Sequence, residues 1–174
     1  MKRARDVIGL PVFCVQTGKQ VGIAKDLLLG DAWHLEAVLL ETKSWFASPS
    51  CIMWKDVIAL GDDAITIANE EVISRMEDEG EAFTSLLNGD RKLKGMPVLT
   101  VNGQQLGIVD DVYLDPNKGK KVIGYELTEG FISDLKEGRK WLPLPETVTV
   151  GEDAIIVPVH CNDTLEESYI PIEE

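Results

Sequence analysis

Cysteine is scarce in this chain, and its few copies form no pairing pattern. Cys14, Cys51 and Cys161 are odd in number, widely spaced and lack a C-x-x-C arrangement, which argues against a disulfide framework and fits a reducing compartment. Histidine is scarcer: His34 and His160 are the only two, too few to build the usual four-ligand zinc site. Long apolar runs are missing as well. The longest, such as Ala37–Leu40, Val57–Leu60 and Ala154–Val157, are strand-sized, and none could cross a bilayer as a helix. The opening residues Met1–Asp6 are basic with no apolar stretch behind them, so neither a secretory signal nor membrane insertion is expected. Positive charge is in deficit, with 17 Lys and Arg against 30 Asp and Glu, a formal net charge of −13. The two halves share it, at −6 and −7 when divided after Leu87. Binding naked nucleic acid usually needs a basic surface to displace counterions, so direct nucleic-acid binding is not expected. No P-loop, G-x-G-x-x-G or G-x-S-x-G occurs, which removes the usual signatures of phosphate, dinucleotide and acyl chemistry.

What the chain does contain is itself, twice. Gly9–Phe13 (GLPVF) returns as Gly95–Leu99 (GMPVL), and Gly61–Ile65 (GDDAI) returns as Gly151–Ile155 (GEDAI). Between Gly18–Leu29 and Gly103–Leu114, six of twelve positions are identical. A period of about 85 to 90 residues is too long for a solenoid and suits a duplicated small domain. Each copy alone would have a marginal core, so two copies in one chain are expected to stabilise each other by packing.

The texture within each copy is β-rich. Pro11–Val15, a turn at Thr17-Gly18, and Val21–Leu29 read as a hairpin, repeated as Pro97–Val101, Asn102-Gly103 and Leu106–Leu114. Leu35–Glu41 and Val122–Thr128 read as third strands, and Val57–Leu60, Ile65–Ile67, Thr147–Val150 and Ile155–Val157 as further short ones. Gly22 and Gly107 fall inside strands, where glycine often marks a bulge or bend. Regular turn signals between short strands predict a small antiparallel barrel per copy. Between the copies, Asn69 can cap a helix starting at Glu70, and Phe83, Leu86 and Leu87 continue an apolar stripe. The predicted architecture is all-β: two tandem six-stranded barrels, residues 1–67 and 90–158, joined by a partly helical linker over 68–89. An acidic tail over 159–174 follows.

The order Gly-x-Pro-Val, then Gly-x-x-x-Gly-x-x-x-Asp, then an acidic turn before Ala-Ile resembles the PRC-barrel family. The first copy carries it as Gly9, Pro11, Val12, Gly18, Gly22, Asp26 and Asp63–Ile65. The second carries it as Gly95, Pro97, Val98, Gly103, Gly107, Asp111 and Asp153–Ile155. The two-copy layout is similar to tandem-barrel proteins of spore-forming bacteria. The resemblance implies a six-stranded barrel that serves as a docking module, not a catalyst. Its relatives include the cytoplasmic part of a photosynthetic reaction-centre subunit and the C-terminal domain of a ribosome-maturation factor. This chain has neither the membrane helix of the first nor the RNA-processing domain of the second, so their partners do not transfer.

Candidate chemistry is thin. Asp26 and Asp111 sit at equivalent positions, and their expected role is a turn or barrel-edge carboxylate bonded to backbone. Asp62-Asp63 and Glu152-Asp153 sit in turns behind glycine, where turn chemistry accounts for them. His160, Cys161 and Asp163 have no further ligand cluster nearby in sequence. No catalytic, cofactor or metal residue is assigned. The copies diverge most in two connections, Thr42–Ser50 and Glu129–Lys140. A duplicated scaffold with divergent loops places function in those loops. The candidate partner-binding residues are Trp45, Phe46, Phe131, Ile132, Leu135 and Arg139. The expectation is a cytoplasmic adaptor or scaffold that binds another protein, self-association included. The alternative is a ribosome- or RNA-associated maturation factor, based on Lys2-Arg3-Arg5, Arg91-Lys92-Lys94 and Lys118, Lys120 and Lys121.

Overall fold

The computed structural model describes residues 2–30, 33–42, 44, 47–76, 84–88, 92–115, 121–130, 134 and 138–167. Ahead of the first repeat come β1 (Lys2–Arg3) and the single-turn α1 (Ala4–Val7). The first repeat then supplies β2 (Pro11–Cys14), β3 (Gln20–Leu29), β4 (Leu35–Leu40), β5 (Ser50–Met53), β6 (Val57–Leu60) and β7 (Ile65–Ile67). The linker contributes β8 (Ile73–Arg75) and β9 (Thr84–Ser85). The second repeat supplies β10 (Pro97–Thr100), β11 (Gln105–Asp115), β12 (Lys121–Thr128), β13 (Lys140–Pro143), β14 (Thr149–Val150) and β15 (Ile155–Val157). A turn of helix, α2 (Cys161–Thr164), and β16 (Glu166–Glu167) follow.

Each repeat builds the same six-stranded sheet, β6-β7-β2-β3-β4-β5 in the first and β14-β15-β10-β11-β12-β13 in the second. One pair per sheet is parallel, Val12 facing Ile65 and Val98 facing Ile155; the others are antiparallel. The long strands β3 and β11 run through two sets of neighbours, because β2 or β10 covers one half and β4 or β12 runs along the rest. Both carry a bulge at the same place. Ala24 faces Leu40 and Asp26 faces Leu39, leaving Lys25 as the extra residue. Val109 faces Leu127 and Asp111 faces Glu126, leaving Asp110. A bulge bends the strand and re-aims the next side chain, and here the next side chain is the repeated aspartate.

In the described part of the linker, 68–76 and 84–88, the helix is limited to one turn, and Phe83 of the expected stripe lies outside the described residues. Asn69 does cap a turn, accepting the Glu71 N–H at 3.0 Å, but that turn is one 3-10 turn over Glu70–Val72. From Ile73 the chain becomes β8 and pairs with β5, Ile73 facing Ile52 and Arg75 facing Ser50. The open edge of β5 gives a β-branched residue a ladder to join, and that pairing overrides the helical start.

The segments that lead into the barrels are crossed. β1, ahead of the first repeat, pairs with β11 of the second, Lys2 facing Leu114 and Arg3 facing Tyr113. β9, ahead of the second repeat, pairs with β3 of the first, Leu28 facing Ser85 and Leu29 facing Thr84. Each lead-in then buries apolar residues, Ala4 and Val7 from one and Leu86 and Leu93 from the other, all 0% exposed. Gly9 and Gly95 follow, both at φ 91°, a conformation that favours glycine. They turn the chain into its own barrel, donating N–H to Ala24 and Val109 carbonyls at 2.8 Å. These buried residues join one continuous core with both barrels. Trp33, from the β3–β4 connection, meets Tyr125 of β12 edge-on at 5.8 Å.

Candidate functional site

The repeated aspartate is where each lead-in is fastened. Asp26 is 0% exposed and accepts three backbone N–H groups: Leu27 at 2.8 Å, Leu87 at 3.1 Å and Asn88 at 2.6 Å. Leu87 and Asn88 belong to the segment entering the other barrel. Asp111 is equally buried and accepts N–H from Val112 at 2.8 Å and Arg5 at 3.3 Å. Burial pushes both carboxyl groups above the ordinary aspartate range, and the N–H donors oppose that push. The expectation of a backbone-bonded structural carboxylate is met, with the addition that the backbone comes from the neighbouring repeat's lead-in.

Around Asp111 lies a chain of charges with no counterpart among the described residues of the first barrel. The Arg5 guanidinium donates to Asp111 at 2.5 Å and to Asp110 at 2.6 Å. Arg139 reaches the same Asp110 oxygen at 2.6 Å and donates to Glu126 at 2.5 Å. Tyr113 donates its hydroxyl to the other Glu126 oxygen at 2.9 Å. Asp134 stands 3.8 Å from Arg139 and accepts the Thr128 hydroxyl at 2.5 Å. Burial works against the Arg5 cation, but Asp111 and Asp110 outweigh it, so its affinity for the proton rises above normal. Glu126 does the same for Arg139, against the cost of burial. The Arg5 guanidinium cannot lose its proton at neutral pH, and its charge, with the N–H donors, opposes the upward push of burial on Asp111. Tyr113 is held protonated by burial and by the neighbouring Glu126 charge.

The equivalent surface of the first barrel is apolar. Ladder register equates Asp110 with Lys25, Tyr113 with Leu28, Gly124 with Ala37, Glu126 with Leu39 and Trp141 with Cys51. There Leu28, Ala37 and Cys51 form a small separate core with Leu39, Met53 and Met76. In the second barrel Tyr113 and Trp141 pack edge-to-face at 4.6 Å over Gly124. A Cβ on Gly124 would overlap the Trp141 ring and lie 2.6 Å from the Leu142 carbonyl oxygen.

Of the candidate partner-binding residues, Arg139 is in this cluster. Trp45, Phe46, Phe131, Ile132 and Leu135 lie outside the described residues. Asp63, Glu152 and Asp153 are exposed in turns, and Asp62 is ion-paired with Lys2, whose contact lowers its carboxyl titration. His34 and His160 are exposed, all three cysteines are buried and free, and among the described residues no metal-ligand cluster forms. No helix among them is long and apolar enough to cross a membrane. Part of the suggested basic patch is already neutralised, Lys2 by Asp62, Arg3 by Asp6 and Arg5 by Asp110 and Asp111. Sequence reasoning missed Asp110, Glu126 and Tyr113, because it sought divergence between the copies in loops and not at matched strand positions.

Compared with known families, residues 1–72 match the PRC-barrel domain, and residues 87–160 match it again. The chain belongs to the PRC-barrel family. A relative is the uncharacterized protein YrrD of Bacillus subtilis strain 168, 24% identical over 163 residues that cover 90% of this chain and 87% of that protein. The two PRC-barrel matches coincide with the two six-stranded sheets, so the glycine and aspartate pattern that defines the repeat is the pattern that forms the bulge and the latch.

Proposed function

We propose that this PRC-barrel chain is a non-catalytic adaptor of the cytoplasm that binds another protein through its two divergent connections, β4–β5 and β12–β13. The observation that carries the reading is the seating of Arg139. At the end of the β12–β13 connection, it bonds to a carboxylate that is 1% exposed and to Asp110 on the bulge. Asp134 N–H donates to the Gly130 carbonyl and Gly138 N–H to the Asp134 carbonyl, at 2.9 and 3.0 Å. A loop built on a fixed base presents its side chains with little ordering cost on binding. Trp45, Phe46, Phe131, Ile132 and Leu135 supply the apolar anchors that such interfaces use. Pull-down of the tagged chain with and without nuclease tests the reading. A protein partner that survives nuclease and is lost on Trp45→Ala or Phe131→Ala supports it. Ribosomal proteins that vanish with nuclease would replace it with the RNA-linked alternative.

A further inference from the structure

The two crossed lead-ins do the same structural job with different chemistry. On the first barrel, the described partners of Asp26 are backbone N–H groups, and Leu86 fills the core. Among the described residues no charged side chain takes part. On the second, Arg5 occupies the place of Leu87, each donating its N–H to the latch aspartate, and adds a guanidinium that bonds Asp111 and Asp110. Asp110 stands where the first barrel has Lys25, and Glu126 where it has Leu39. A dock that is only structural needs none of these three changes, as the first barrel shows. Together they set three carboxylates around one guanidinium, that of Arg5. Even with Arg5 in place, Asp110, Asp111, Glu126 and Asp134 outnumber Arg5 and Arg139.

The bound segment shows what this cluster accepts. Two extended residues add to β11, a small residue (Ala4) is fully buried, the arginine follows, and an apolar residue (Val7) is buried three positions after the small one. We propose that this edge of β11 is a binding site for a basic segment of a partner protein, two extended residues followed by a helical turn with the pattern small-Arg-x-apolar, occupied in the unbound chain by residues 2–7 as a tethered competitor. The inference rests on the adaptor reading and names the chemistry of the partner. Strand addition supplies backbone pairing, and the carboxylates supply selectivity.

A fluorescent peptide with the sequence of residues 1–8 tests it, titrated by anisotropy into the 174-residue chain. The tethered segment acts at an effective concentration on the order of mM, so the unaltered chain should bind the peptide weakly. Arg5→Ala loosens the segment and Ala4→Glu expels it from its 0% exposed position; each should bind at least about tenfold more tightly. Asp111→Asn added to Arg5→Ala should abolish the gain, as should a peptide with alanine for its second arginine-bearing latch position, the fifth residue. Folded variants that bind no better than the unaltered chain would overturn the proposal. So would equal binding of the arginine-less peptide. Failure of Arg5→Ala to fold would also overturn it, because a segment that cannot be loosened cannot be exchanged. A dimer of Arg5→Ala dispersed by the peptide would assign the site to a second copy of the chain instead. Trp45→Ala and Phe131→Ala should leave peptide binding intact, which separates failure of this proposal from failure of the loop-based reading.

Discussion

Two buried tyrosines of the second barrel should respond in opposite directions to losing a hydroxyl. Tyr125 is 0% exposed, and its hydroxyl has no hydrogen-bond partner among the described residues. Burying an unpaired hydroxyl costs about 1–3 kcal/mol by protein mutational measures. Tyr125→Phe removes that cost while retaining the ring that meets Trp33. Allowing for the small void left behind, the gain should be about 1 kcal/mol, a rise in Tm of roughly 2–4 °C for a chain of this size. Tyr113 is 5% exposed, and its hydroxyl donates to the Glu126 carboxylate at 2.9 Å. Hydrogen bonds to charged groups are worth about 1.5–3 kcal/mol, so Tyr113→Phe should cost about 2 kcal/mol while retaining the ring against Trp141. Urea unfolding measures both, with unchanged m-values as the condition for reading midpoints as stability. Destabilisation by Tyr125→Phe, or a neutral Tyr113→Phe, would refute the assignment of these two hydroxyls.

Three further outcomes are expected. Burial raises the Asp26 carboxyl titration in the folded chain against its N–H donors, so the folded state binds the proton more tightly than the unfolded one. The stability of the unaltered chain relative to Asp26→Asn should therefore increase as pH falls from neutral through that raised value, the increase being complete below the ordinary aspartate range; denaturation across pH reads this difference. Arg139→Leu leaves Glu126 with the Tyr113 hydroxyl and with Arg5 at 3.7 Å, and after discounting for the exposure of the guanidinium it should cost about 1–2 kcal/mol; adding Glu126→Leu together with Tyr113→Phe, which leaves neither carboxylate nor hydroxyl unpaired, should recover most of that in urea denaturation. Gly124→Ala forces a methyl into Trp141 and should cost about 2 kcal/mol or more, and Trp141→Cys, which copies Cys51, should relieve part of it in thermal melts.

The barrels were legible because the residues that shape them are rare types at fixed spacing. A Cβ on Gly107 would lie 3.0 Å from Leu127 Cβ, and Asp26 and Asp111 follow bulges. Such positions tolerate few alternatives, so the duplicated pattern persists. The crossing of the lead-ins was not legible, since a two-residue strand has no periodicity and its partner lies far along the chain. The linker misled for a related reason. Asn69 signalled its cap correctly, but the sequence could not show that β5 would offer Ile73–Arg75 an edge. In the site, Arg139 stood out as the basic end of a divergent loop. Its partners did not, because Glu126 occupies a place where strand alternation predicts nothing about charge, and its meaning appears only when Leu39 is set beside it.

The crossed lead-ins also impose an order on synthesis. Asp26 and Asn88 are 62 positions apart, so the first barrel can close its latch once residue 88 is free of the ribosome, before most of the second barrel is made. Arg5 and Asp111 are 106 positions apart. Residues 2–7 must wait for their strand partner and for Asp111 through the whole of that interval. Because closing loops of such length slows folding, the lead-in that is made first docks after the one that is made second.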